Sequence, residues 1–337
     1  MGYTRPPRLA HLCASSDGSY KANTGEEMIK RREFMGSALA ATLLGGCGIS
    51  NEKRQNGGRY VTSDRLGVCS WSFQLPLDSV AEEMRKMGLR NINLALQPFL
   101  EGDERHGKAE DAGARARVEA RIASGEWRIT ATMISFNHED YSTLDSIRRT
   151  GGIVPDAHWE ADRALVAKAA KLTGEWKVPY MLMHAGFLDE ADKVAFDKYL
   201  YRVKTLRDIC AGENVQLILE TGQETADDLV KFMSLVEGVG VNFDPANMIL
   251  YNKGVPVDAV RKIAPWIRHM HIKDAKYTKV PGTWGEEVPW GDGDVNAALM
   301  LKTLEEVGYS GAFAIEREGG SSRVADIALA ARRMLSA

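Results

Sequence analysis

Cysteine is scarce in this chain: four in 337 residues, at Cys13, Cys47, Cys69 and Cys210. They are widely spaced and no CxxC pair occurs, which excludes a disulfide framework and the common zinc-ribbon patterns. There is no excess of positive charge either. Lys and Arg number 43 against 46 Asp and Glu, for a net charge of -3. That balance excludes the electrostatic footprint of a nucleic-acid-binding protein, so no nucleic-acid partner is expected. No apolar run is long enough for an ordinary membrane span. What is present is enough chain for one large domain with a substantial core.

The N-terminal region reads as separate from that domain. Lys30-Arg31-Arg32 precedes Glu33-Phe34-Met35-Gly36 and a weakly apolar stretch from Ser37 to Leu44. A charged segment followed by a short apolar one is the form of an export signal. The arginine pair with Phe34 two positions on resembles a twin-arginine signal, and Leu44-Gly45-Gly46-Cys47 resembles a lipobox, with Cys47 the lipidation site. The expected organisation is an export signal with an upstream tail over 1–50, a polar linker over 51–64, and a folded domain over 65–337. The expected location is periplasmic, with membrane contact only through a lipid on Cys47. Met28 is an alternative start to Met1.

From Leu66 onward, short apolar runs alternate with helical periodicity. Strand-like segments are LGVCSWSF (Leu66 to Phe73), NINLAL (Asn91 to Leu96), RITATMIS (Arg128 to Ser135), YMLMHA (Tyr180 to Ala185), QLILE, GVNFD, IRHMHIK and AFAIE. Helical spacing falls between them, for example at Leu77 to Met87 with Gly88 as the stop, and at Pro256 to Ile263. Eight such pairs argue for a single (β/α)8 TIM barrel; the competing arrangement is a doubly wound open sheet.

Four of the runs end on a metal-binding side chain: LILE at Glu220, GVNFD at Asp244, HMH at His271 and FAIE at Glu316. Buried parallel strands read as short, β-branched or aromatic runs, and here each delivers a polar group at its C-terminal end. In a closed barrel those ends meet at one mouth; in an open sheet they would spread along an edge. Three carboxylates and an imidazole form an oxygen-rich site for a divalent cation. A carboxylate at a strand end can also simply cap the following helix, and a strand histidine can be a hydrogen-bonded core residue.

Leu219-Glu220-Thr221-Gly222-Gln223-Glu224, Asn242-Phe243-Asp244-Pro245-Ala246-Asn247, His269-Met270-His271-Ile272-Lys273-Asp274 and Ala314-Ile315-Glu316-Arg317-Glu318-Gly319-Gly320 carry a resemblance to the sugar phosphate isomerase/epimerase superfamily, the xylose-isomerase-like TIM barrels. The resemblance covers the chain from about Leu66 to the C-terminus. It implies that Glu220, Asp244, His271 and Glu316 hold one divalent metal ion (Mn, Co, Mg or Zn). It further implies a carbohydrate substrate that loses a proton beside a carbonyl, with Glu220 and Glu316 as the catalytic acid and base on opposite faces. The chain departs from the ketose-epimerase pattern at three positions: Asn247 stands for a histidine, Asn93 for a glutamate of the second strand, and Tyr277 for an arginine.

Further substrate-binding candidates are His184, Gln223, Glu224, Asn247, Lys273, Asp274, Trp71 and Trp290, with Trp284 beside them. Lys273 and Asp274 would orient hydroxyls or pair with each other. The tryptophans would stack on a sugar face or hold their own loop. Gly291-Asp292-Gly293-Asp294 reads as a turn and helix cap. The leading function is a metal-dependent sugar isomerase or epimerase. The alternatives are a lyase acting on keto-sugars such as 3-keto-glycosides or inososes, and a non-catalytic sugar-binding protein. A DNA-repair nuclease on the same barrel ranks last, because that chemistry needs more histidines.

Overall fold

The computed structural model describes residues 59–100 and 110–337. The twin-arginine-like segment and Cys47 lie outside them. Ten strands occur among the described residues: β1 (Leu66–Cys69), β2 (Asn91–Ala95), β3 (Arg128–Met133), β4 (Tyr180–Met183), β5 (Gln216–Glu220), β6 (Gly240–Phe243), β7 (Ile267–Ile272), β8 (Asp274–Lys276), β9 (Glu286–Val288) and β10 (Ala312–Ile315). Eight of them close a parallel barrel in the order β1-β10-β7-β6-β5-β4-β3-β2, and β8 pairs with β9 as a separate antiparallel hairpin. The barrel is therefore as the alternation implied, and the open sheet is excluded by the pairing of β1 with β10 (Val68 opposite Ile315).

The barrel strands are buried on both faces, which is why they read as continuous apolar runs rather than alternating ones. The surrounding helices turn one apolar stripe inward. The helix Leu77–Met87 buries Leu77, Val80, Ala81 and Met84, and ends at Gly88 in the left-handed conformation (φ 69°). The helix Pro256–Ile263 begins with its proline at the first turn, where the missing N–H is not needed. Thr225 caps Ala226–Leu235 by accepting from the backbone N–H of Asp228. Asn296, rather than Asp294, caps Ala297–Glu306. Asp294 instead accepts from the backbone N–H of Tyr277.

Several boundaries differ from the sequence-based expectation. The first strand stops at Cys69, and Ser70–Phe73 form a buried 3₁₀ turn that carries Trp71 across the barrel mouth. The helix Leu144–Thr150 was not expected; it is held by a reciprocal cap between Thr143 and Ser146. The helix Pro245–Leu250 also appears directly after β6, capped by Asp244. Within the expected linker of 51–64, Val61 is buried and the Tyr60 ring packs edge-on against Phe313 at 6.0 Å. Tyr60 and Val61 are the two apolar residues of an otherwise polar stretch, and they anchor it to the barrel.

Candidate metal centre and substrate cavity

β5, β6, β7 and β10 are consecutive neighbours in the barrel. Glu220, Asp244, His271 and Glu316 are therefore brought to one place, and one ligand atom from each lies within 4.8 Å of all the others. All four are buried. The imidazole Nδ1 of His271 points at the three acids: 2.8 Å to Glu220 Oε1, 2.9 Å to Glu316 Oε2 and 3.8 Å to Asp244 Oδ2.

Asp244 and Glu316 each use one oxygen for position and turn the other toward the cup. Asp244 Oδ1 accepts from the backbone N–H of Asn247 at 2.9 Å, which caps the following helix, while its Oδ2 faces inward. Helix capping and ligand geometry thus coexist on one side chain. Glu316 Oε1 accepts from Trp71 Nε1 at 2.8 Å, leaving Oε2 in the cup. Asn247 Nδ2 donates to Glu220 Oε1 at 3.4 Å, and His184 Nε2 lies 3.5 Å from Glu220 Oε2. Gly222 makes this packing possible: at φ +139° a Cβ there would sit 2.5 Å from the Asn247 Cβ.

Asp244 Oδ2 and Glu316 Oε2 are buried without a hydrogen bond of adequate geometry. Orphaned buried carboxylate oxygens converging on a point are what a cation site leaves when its cation is set aside. The charge agrees. Lys273 Nζ is buried 3.3 Å from Glu316 Oε2 and 3.7 Å from Asp244 Oδ2. Three carboxylates and one ammonium, itself shared with Glu318, leave at least two negative charges beside a neutral imidazole, which suits a divalent ion. Burial alone would push the His271 imidazole down, but Cys69, Glu220, Glu316 and Asp244 hold it well above its usual range. Burial likewise opposes the charge on Lys273, yet Glu316, Glu318 and Asp244 raise it well above the normal lysine value. Burial would raise Glu316, but Lys273 and His271 outweigh it and keep the carboxyl below its usual value. The residues fit a hard divalent cation.

Above the cup lies a cavity of about 540 Å³, lined by Trp71, His184, Glu220, Asn247, Lys273 and Glu316 from the expected set. Its size is within the roughly 300–1,000 Å³ of small-molecule sites. Trp71 is therefore in the site, but its indole N–H is already bound to Glu316. Lys273 does not pair with Asp274. Its ammonium donates to Glu318 Oε2 at 2.6 Å and to Asn247 Oδ1 at 3.3 Å.

Four candidates fall elsewhere. The Asp274 carboxylate accepts from the backbone N–H groups of Ala275, Gly291, Gly293 and Val295, and so folds the loop after β7 instead of meeting the cavity. Trp290 is buried in the core under that loop, its carbonyl held by Arg333. Gln223 is buried and donates to the Tyr251 hydroxyl at 3.4 Å, behind the cavity wall. Glu224 lines a small side cavity next to Glu220, and burial raises its carboxyl to about 7. Tyr277 donates its hydroxyl to the Gly254 carbonyl.

Sequence reasoning missed Glu139, Tyr141, Tyr251 and Glu318 as lining residues. Glu139 comes from the loop after β3 and clasps the backbone N–H groups of Phe136 and Gly152 at 3.0 and 2.9 Å. No periodicity marks such a residue. Glu318 had a signal, being two residues beyond Glu316 in the same loop. The β8–β9 hairpin was also missed. Its Glu287 grips Arg317 and the backbone N–H groups of Glu318 and Gly319, tying the loop after β7 to the loop after β10.

The xylose isomerase-like TIM barrel family model matches residues 81–337, and the chain belongs to that family. Among curated proteins, it is 30% identical over 156 residues to the uncharacterized protein YihM of Escherichia coli (strain K12), a match covering 44% of this chain and 47% of that one. It is 27% identical over 152 residues to the inosose dehydratase of Serratia proteamaculans (strain 568), covering 39% of this chain and 49% of the other. The match thus spans about half the length of these curated relatives. Among solved structures, it is similar to a xylose isomerase domain protein from Planctomyces limnophilus, with a TM-score of 0.68, 28% identity, and coverage of 76% of this chain and 90% of that one.

Proposed function

We propose that the protein is a divalent-metal-dependent isomerase or epimerase of a keto-sugar. The observation that carries this reading is the convergence of Glu220, Asp244, His271 and Glu316 under an open cavity, with two buried carboxylate oxygens that accept no hydrogen bond of adequate geometry. These four side chains would hold the metal. A divalent cation bound there would polarise a carbonyl oxygen and the neighbouring hydroxyl of the sugar, acidifying the C–H beside the carbonyl.

The chain supplies the rest. Glu220 and Glu316 stand on β5 and at the end of β10, with β6 and β7 between them, so their carboxylates approach the cup from different sides. One accepts the proton from carbon and the other returns it. Return to the same carbon from the other face is epimerisation; return to the neighbouring carbon is isomerisation. Lys273 and His271 keep Glu316 in the anionic form that can accept a proton, and Trp71 holds its other oxygen. Asn247 and His184 flank Glu220 and would meet sugar hydroxyls. The aromatic wall of Tyr141, Tyr251 and Trp284 suits the C–H faces of a sugar.

The likeness to an inosose dehydratase favours one second reading, a lyase. It begins with the same proton abstraction and ends with loss of a leaving group beside the carbanion. A panel of keto-sugars in deuterated buffer, with and without chelator, separates the readings. Metal-dependent deuterium incorporation with all oxygens retained supports the isomerase or epimerase. Release of water or an aglycone supports the lyase. Binding without any exchange across the panel would make the protein a sugar-binding relative that does not turn over. Export by the twin-arginine-like segment and lipidation at Cys47 remain part of the proposal, tested by mass spectrometry of the mature N-terminus.

A further inference from the structure

His271 has two ring nitrogens, and only one faces the acids. Its Nε2 lies 3.0 Å from the amide of Asn93, buried in the middle of β2. If Nδ1 gives its lone pair to a cation, the neutral ring must carry its proton on Nε2. An Asn93 N–H₂ in that place would set donor against donor, while the Asn93 Oδ1 has no partner at all. Half a turn of the amide exchanges oxygen and nitrogen without changing its shape. The oxygen then accepts from Nε2–H, which removes the clash of two donors.

The strand geometry aims Asn93 at this spot. Opposite β3 the register slips between Ile92 and Asn93: Ile92 pairs with Ile129, and Asn93 pairs with Ala131. The extra residue, Thr130, turns its hydroxyl to the other histidine of the motif, 3.0 Å from His269 Nε2. Bulges of this kind re-aim side chains near functional sites. β2 and β3 thereby provide one polar partner for each of the two histidines on β7.

We propose that Asn93 is a positioning residue for the metal: its amide oxygen holds His271 in the Nε2–H tautomer, with the Nδ1 lone pair directed at Glu220, Asp244 and Glu316. The position where the ketose epimerases carry a glutamate is here an outer partner of a ligand and not part of the cavity wall. This inference rests on the reading of the cup as a cation site.

The test is a Mn²⁺ titration followed by calorimetry at several pH values, with Asn93→Leu and Asn93→Asp beside the wild type. Asn93→Leu is expected to bind Mn²⁺ about 10–100-fold more weakly. Asn93→Asp, which keeps an acceptor, restores affinity to the wild-type level or above. In Zn²⁺-loaded wild type with ¹⁵N-labelled histidine, His271 should show a protonated Nε2 and a metal-shifted Nδ1. Folded Asn93→Leu that binds Mn²⁺ as tightly as the wild type overturns the proposal, and so does an unprotonated Nε2 in the loaded wild type. If Asn93→Leu does not fold, the nitrogen spectrum and Asn93→Asp decide the matter without it. Wild type that binds neither ion removes the cup itself, and this inference with it.

Discussion

His269 and His271 stand two residues apart on one strand, both inside the barrel and both buried, yet they sit in opposite environments. His269 donates to Asn242 Oδ1 at 2.8 Å and meets the Thr130 hydroxyl at 3.0 Å; burial, then the neighbouring His271, pushes its pKa well below the usual value. It is a neutral, satisfied core residue. One layer higher, His271 faces three carboxylates; burial opposes its charge, but Cys69, Glu220, Glu316 and Asp244 hold its pKa well above the usual value. In the lower layer both ring nitrogens of His269 are partnered, while the upper one leaves Asp244 Oδ2 and Glu316 Oε2 without a well-formed hydrogen bond. A barrel can tolerate the open layer because the closed one beneath fixes the same strands. The site is thus separable from the scaffold by a rise of one side-chain layer, and that separation can be attacked experimentally.

The largest effect is expected in the upper layer. Glu316→Gln keeps the shape and can still accept from Trp71, but removes the charge and the base. Metal-dependent deuterium exchange into a keto-sugar should fall by about 10²–10⁴-fold, with melting unchanged or raised. Exchange at the wild-type rate in this variant would take Glu316 out of the chemistry.

The next effect lies in the lower layer. His269→Leu leaves Asn242 Oδ1 and the Thr130 hydroxyl short of a buried partner, each worth about 1–3 kcal/mol. Urea denaturation should show that loss, while the folded fraction still binds Mn²⁺. Loss of metal affinity with unchanged stability would reverse the assignment of the two histidines.

A pH titration then contrasts the site with and without its metal. In chelated protein the folded His271 pKa lies above its ordinary value of 6.5. Its contribution to stability is therefore complete below about pH 6.5 and is lost as pH rises through the folded value. The metal competes with that proton, so affinity should grow over the same interval. Raising the pH from 6.5 toward 9 should lower the melting temperature of chelated protein and narrow or reverse the drop when Mn²⁺ is in excess. Parallel curves in both states would show that the proton and the metal do not share Nδ1.

The same layering explains what could be read from the sequence. Barrel strands announce themselves because two-sided burial demands uninterrupted apolar runs, and the quartet shows because each run ends on a ligand type. Leu77–Met87 and Pro256–Ile263 have the bounds that Gly88 and Pro256 signalled. The misses are of another kind. Asp274 looked like a site residue because it follows Lys273, but its carboxylate is consumed by four loop N–H groups that no spacing reveals. Trp290 was misplaced for the same reason. Glu139 and Tyr251 reach the cavity through loop or short-helix geometry, and the outer role of Asn93 depends on a register slip between strands.

The smallest expected effects come from a pair of helix caps, one in each region. Thr225 accepts from Asp228 N–H and does nothing else in the cup; Asp244 accepts from Asn247 N–H and also presents Oδ2 to the metal position. Thr225→Ala should cost about 1 kcal/mol of stability, the usual value of a lost cap, and leave Mn²⁺ affinity alone. Asp244→Asn retains a cap oxygen and removes one of three crowded negative charges, so chelated protein should be as stable as the wild type or slightly more so. Its Mn²⁺ affinity should nevertheless drop, because the inward atom becomes an amide nitrogen that cannot coordinate. If Asp244→Asn instead loses about as much stability as Thr225→Ala and keeps its metal, then Asp244 is only a cap. The cup would be left with two acids and a histidine, and the line between site and scaffold would have to be drawn above β6.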